Sequence, residues 1–132
     1  MKVDVPMLAM THCDAAKLSK QHGKKSEYAL CASQWHKTLS YTDAFFKDGM
    51  TYDADFKKLF NYAPPYQAAE SSAALLVFKD AFERADSFDK VKVRDALAAT
   101  NMQTFYGNIK FAEGGQNVDK PMVLFQVMCD GD

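Results

Sequence analysis

Short apolar runs alternate along this chain with longer amphipathic stretches. Residues 5–10 are apolar and 14–23 are polar. That change predicts a strand, a tight turn through Thr11 and His12, and then a helix. Asp14 can cap that helix, because its carboxylate can accept orphan backbone N–H groups, and Gly23 is a natural stop with Lys24 and Lys25 just beyond it. Residues 28–32 predict the next strand. Residues 37–53 mix aromatics with Asp, Gly and Thr without a clean period, as in a loop with buried aromatic anchors. Phe56, Leu59 and Phe60 recur at i, i+3, i+4 and predict a helix over 53–62. Pro64 and Pro65 end it.

The next helix spans about 65–85, with Ala74, Phe78, Ala81, Phe82 and Ala85 as its expected buried stripe and Asp80 with Arg84 as an outward i, i+4 pair. Asp89 is a candidate N-cap for a further helix, where Phe88 and Val93 occupy the two positions of a hydrophobic staple. Val93, Ala96 and Leu97 then face inward. From Phe105 to Phe111 apolar and polar positions alternate, as a half-buried strand requires. Gly114 and Gly115 make a turn, and 122–128 is almost continuously apolar, the pattern of a strand covered on both faces. The expected core comprises Ala74, Leu75, Phe78, Phe82, Val93, Leu97, Ile109, Phe111, Val123 and Phe125. Strands alternating with helices make the class α/β, in one domain over 1–132.

Composition narrows the function. With 48% hydrophobic and 13% aromatic residues, burial can offset chain entropy and the chain should fold. The net charge is -1 with both signs interspersed, so the basic footprint of a nucleic-acid binder is missing. No apolar run is long enough to cross a bilayer. The first ten residues do not read as a secretory signal, since Asp4 and Pro6 interrupt the apolar stretch. Cys13, Cys31 and Cys129 lack framework spacing, and reduced, buried thiols are the expectation. Neither a metal nor a cofactor is implied: His12, Cys13, His22 and His36 lack the spacings of a zinc site.

One succession of motifs points further. Tyr66-Gln67-Ala68-Ala69-Glu70 opens the long helix. Arg94-Asp95-Ala96-Leu97 follows, then Tyr106-Gly107-Asn108-Ile109-Lys110-Phe111, then Gly115-Gln116-Asn117, then the apolar run from Pro121. This order resembles the rear part of the type I periplasmic binding proteins, the solute receptors of ABC transporters for branched-chain amino acids. The resemblance implies a partial Rossmann-like lobe, about the last third of a two-lobed receptor, on a chain with the length of one typical domain. It implies an amino-acid-like or related small organic solute, an ABC permease as partner, and a periplasmic location. A chain without a leader would instead stay in the cytoplasm if it were a complete gene product.

The same resemblance implies the site residues. Tyr66 matches the aromatic position that closes over the solute. Thr11 and His12 match a polar loop, Asp14 is the nearest acid for an ammonium group, and Trp35 lies where the chain should cross between lobes. A cleft needs convergent groups from both walls, and this chain would supply only part of one. Bare edges and apolar faces would then be covered by a second copy, so a homodimer is expected. Two other readings stand beside this one. The chain could be a receptor-derived interaction or structural module without solute binding. It could also be a small enzyme with Cys13 as nucleophile, its thiolate stabilised near a helix start and His22 or His36 as base.

Overall fold

A computed structural model describes residues 5–11 and 13–128. The chain divides into two compact units, Met1–Gln34 with Met122–Asp132, and Trp35–Pro121.

The first unit is a three-stranded sheet with one helix. Its strands are β1 (Ala9–Thr11), β2 (Leu30–Ser33) and β7 (Val123–Gln126), in the order β1-β2-β7. β1 and β2 are parallel, with Met10 opposite Cys31. β2 and β7 are antiparallel, with Cys31 opposite Phe125. The parallel pair needs a crossover, which α1 (Ala15–His22) and a 3-10 turn (Gly23–Ser26) supply. Asp14 caps α1 by accepting from the Lys17 N–H at 3.0 Å. Gly23, at φ 53°, ends it, a backbone conformation that costs glycine little.

Two expectations fail in this unit. Cys13 and Cys31 form a disulfide, with Cα atoms 5.4 Å apart, so they are not reduced thiols. The bond ties the turn after β1 to the buried centre of β2, where Cys31 is wholly inaccessible. β7 is an edge strand whose positions alternate between half-buried and exposed, with Leu124 63% exposed. It is not covered on both faces. Cys129 lies outside the described residues.

The second unit packs helices and two hairpins around an aromatic cluster. β3 (Thr42–Asp43) and β4 (Lys47–Asp48) form a small hairpin within the expected loop. α2 runs Gly49–Phe60. It starts before Asp53 because Asp48 already caps it, accepting from the Thr51 N–H at 2.7 Å. Gly49 is required there: a Cβ would lie 2.6 Å from the Lys37 carbonyl oxygen. α3 (Tyr66–Ala85) and α4 (Lys90–Ala98) follow, the latter capped by Asp89, which accepts from Val91 and Lys92. β5 (Asn101–Thr104) and β6 (Gly107–Lys110) close the unit as an antiparallel hairpin. Phe105 and Tyr106 are therefore the hairpin's two-residue turn, not the first positions of a strand. Beyond β6, Asn117 accepts from Lys110 N–H and donates to the Asn108 carbonyl, which fixes the Gly114-Gly115 turn against the hairpin.

The core corrects the expected list. α3 buries Ala69, Ala73, Val77 and Ala81, and leaves Leu75, Phe78 and Phe82 exposed. Ala74 is exposed and Ala85 half-buried. Small side chains let the helix approach the cluster of Trp35, Tyr52, Phe105, Tyr106 and Ile109 closely. Val93 and Ile109 are buried as expected, whereas Leu97, Phe111, Val123 and Phe125 are half-buried. Phe88 is 89% exposed, so it makes no staple with buried Val93. It packs on Phe82, with ring centroids 5.4 Å apart.

Candidate functional site

α3 begins without a side-chain cap. Pro65 takes the N-cap position, where its lack of an N–H costs nothing, and its carbonyl accepts from Ala68 and Ala69. Tyr66 is thus the first helical residue, half-buried and packed against the aromatic cluster. Glu70 lies one turn on, on the same side of the helix.

Tyr106 reaches this place from the β5–β6 turn, held by three contacts. Thr104 Oγ1 donates to the Gly107 carbonyl at 3.0 Å, the Phe105 N–H donates to Asp43 Oδ2 at 2.7 Å, and Trp35 Nε1 donates to the Phe105 carbonyl at 3.4 Å. Burial pushes the Tyr106 phenol well above its usual range, and the nearby Glu70 carboxylate and Tyr66 add to the shift. Lys120 covers the ring, with Nζ 4.2 Å from its centroid, a cation over an aromatic face. Gly107, at φ 148°, makes room: a Cβ there would sit 2.7 Å from the lysine stem. Burial lowers the Lys120 amine, and Glu70 partly restores it. Two phenols, a carboxylate and a partly desolvated ammonium group therefore share one neighbourhood, able to donate and accept hydrogen bonds and to meet groups of either charge.

A second charged cluster is structural in geometry. Asp53, 8% exposed, receives Lys37 at 3.3 Å and Lys57 at 2.8 Å. Burial alone would raise its carboxyl, but the two lysines outweigh it and hold it below the usual carboxylate range. His36 beside it is lowered, first by burial and then by Lys37, with Asp53 opposing.

The residues singled out from the sequence fall in different settings. Thr11 ends β1 and is exposed. Asp14 caps α1, and His12 lies outside the described residues. Trp35 is buried, its ring edge-on to Tyr52 and Phe105. Tyr66 gains Glu70, Tyr106 and Lys120, none of which had been singled out. Glu70 was findable one helical turn from Tyr66. Tyr106 sits inside the Tyr-Gly-Asn-Ile motif. Lys120 gave no sequence signal, because only the return of the chain after the Asn117 turn brings it over Tyr106. Cys13 offers no thiolate for nucleophilic chemistry while it is bonded to Cys31. Among the described residues no three His, Cys, Asp or Glu gather as a metal site, and no helix is long and apolar enough to cross a membrane.

A mixed α/β architecture with a strand–helix–strand crossover between parallel strands matches a type I periplasmic binding protein lobe. The chain belongs to that family: the periplasmic binding protein model matches residues 2–132. A leucine-binding protein of Thermotoga maritima is 25% identical, with a TM-score of 0.67, and the match covers 85% of this chain and 31% of that one. A protein assigned to branched-chain amino acid ABC transport in Rhodospirillum rubrum is 21% identical, with a TM-score of 0.70 over 96% of this chain and 36% of its own. A solute-binding protein from R. palustris, in complex with benzoate, is 14% identical, with a TM-score of 0.62, and the match covers 83% of this chain and 29% of that one. The last two carry the fold alone. The chain spans about a third of the length of these solved receptors.

Proposed function

We propose that residues 1–132 act as one piece of a receptor that binds a branched-chain amino acid, or a related small organic solute such as an aromatic carboxylate, and delivers it to an ABC permease. Binding is reversible and non-covalent, with lobe closure as the motion. The observation that carries this reading is the cluster at the start of α3. Tyr66 offers an aromatic wall there, and Glu70 and Lys120 offer one charge of each sign beside two phenols. An amino acid presents the complementary ammonium, carboxylate and apolar side chain. Thr11, His12, Asp14 and Trp35 are the further proposed contacts. A periplasmic location is supported by the Cys13–Cys31 bond, since disulfides persist in oxidising compartments. The function is not enzymatic. A second copy of the chain is the proposed assembly partner.

The test is calorimetric titration of the purified chain with leucine, valine, isoleucine and benzoate, alongside Tyr66→Ala and Glu70→Gln. Weak saturable binding is expected, since the chain supplies only part of one cleft wall, and it should weaken further in both variants. Binding unchanged by either variant would remove the cluster from the site. A folded chain that binds none of the four would favour the receptor-derived interaction module.

A further inference from the structure

The chain passes between its two units at Gln34–Trp35 and again at Pro121–Met122. Within the second unit, both crossings are tied to the same turn. Trp35, the first residue after one crossing, is buried, and its Nε1–H donates to the Phe105 carbonyl at 3.4 Å. Lys120, just before Pro121 at the other, holds Nζ 4.2 Å from the centroid of the Tyr106 ring. Its stem runs over Gly107, where a Cβ would lie 2.7 Å from it. Pro121 carries no N–H to donate, so the tie on this side is made through a side chain.

Phe105 and Tyr106 are consecutive. The carbonyl that receives Trp35 and the Cα that carries the Tyr106 ring therefore belong to one peptide unit, which is planar and stiff. Tyr106 is 5% exposed, so its ring has little room to turn on its own bonds. A displaced ring must tilt the peptide, and with it the carbonyl that holds Trp35. The rest of the turn is fixed, because Thr104 Oγ1 donates to the Gly107 carbonyl and Asp43 Oδ2 accepts from the Phe105 N–H. Glu70 acts on both Tyr106 and Lys120, which sets the turn beside the proposed solute contacts.

We infer that the Phe105–Tyr106 peptide is a common clamp for both crossings, with Lys120 as its releasable half, so that the chain holds or yields at 34–35 and 121–122 together. A hinge is a few residues that absorb the backbone change, and the clamp makes two such places act as one. It deepens the lobe-closure reading and rests on it. Its test uses no solute, so the clamp can fail while solute binding holds, and the reverse.

The experiment is hydrogen exchange followed by NMR on the 132-residue chain. Trp35 is the one tryptophan, so its indole N–H is a single signal at the first crossing. Lys120→Met keeps the stem and removes the charge. It should speed indole exchange ~5–30-fold, the scale of a partly desolvated cation over a ring, while Lys120→Arg should stay near the parent rate. In the reverse direction, Trp35→Phe removes the donor. It should speed exchange of the Val118 N–H, which bonds the Lys110 carbonyl at 2.9 Å, because coupling is reciprocal. The Val93 N–H of α4, bonded to the Asp89 carbonyl, is the control and should not change in the lysine variants. Lys120 is only half-buried, so its variants keep the test open even if Trp35→Phe fails to fold. An indole rate unchanged in Lys120→Met, an equal gain at Val93, Lys120→Arg as fast as Lys120→Met, or an unchanged Val118 rate in folded Trp35→Phe would overturn the clamp.

Discussion

Phe105 occupies a hairpin turn, a position that ordinarily faces water, and is wholly buried there. Its ring stacks on Tyr52 at 4.3 Å and meets Phe46 at 5.0 Å. Phe105→Ala should therefore cost ~3–5 kcal/mol in urea unfolding, as large core truncations do. Phe78→Ala, on the exposed side of α3, should cost the isolated fold less than ~1 kcal/mol. The periodicity of α3 displays both of its apolar sides, but periodicity cannot rank them. The bulkier side reads as core, and close approach of an aromatic cluster to the alanine side decides otherwise. Val93 and Ile109 were legible from the spacing of apolar positions within their own elements. Charge gives a second residue-level expectation. Asp53 is held below the usual carboxylate range by Lys37 and Lys57, against the pull of burial. A carboxyl with a lowered folded value contributes stability above its unfolded value of ~4 and loses it as pH falls through the folded one. The urea midpoint of Asp53→Asn should thus lie below that of the parent at neutral pH and converge with it as pH falls below the usual carboxylate range.

At the scale of elements, caps and breakers were the most legible features. Asp14, Gly23 and Asp89 mark real boundaries and Pro65 the start of α3, because each acts through its own backbone neighbourhood, whereas α2 ends at Phe60 on a left-handed Asn61, before the proline pair expected to end it. The other misses required long-range partners. The β5–β6 hairpin hid in the sequence because its turn holds Phe105 and Tyr106 instead of polar residues, and Asp43, sixty-two residues away, takes the Phe105 N–H. The Cys13–Cys31 bond was equally hidden, since only the parallel pairing of β1 with β2 brings the two together. That bond should matter to the first unit, whose α1 has no buried residue. Closing a loop of 18 residues restricts the unfolded chain by ~3 kcal/mol at 25 °C. Dithiothreitol, or Cys31→Ser, should lower unfolding stability by ~2–4 kcal/mol. Near-ultraviolet circular dichroism through a redox titration would check it. On the small face of α3, Ala73→Leu should cost ~1–3 kcal/mol through overpacking, the mirror of the tolerance expected at Phe78.

For the whole molecule, ancestry was more legible than assembly. Ordered motifs from Tyr66 to the last strand carry the family, whereas the cover of a face depends on chains the sequence does not contain. The structure leaves Leu75, Phe78, Phe82, Phe88 and Val91 exposed along α3 and into the start of α4, and the chain spans about a third of the length of the receptors it matches. If two copies bury these side chains together, folding and association are one equilibrium, and stability depends on concentration. Raising the chain a hundredfold above its dissociation constant adds ~2.7 kcal/mol to the apparent unfolding free energy. The urea midpoint should then rise with protein concentration in the parent and stay fixed in Phe78→Glu, with the unfolding slope unchanged within each protein. A parent midpoint that is the same at every concentration would mean that the face is tolerated in water by a stable monomer. Dye binding would then be expected to report it as an open apolar surface, waiting for a partner of another kind.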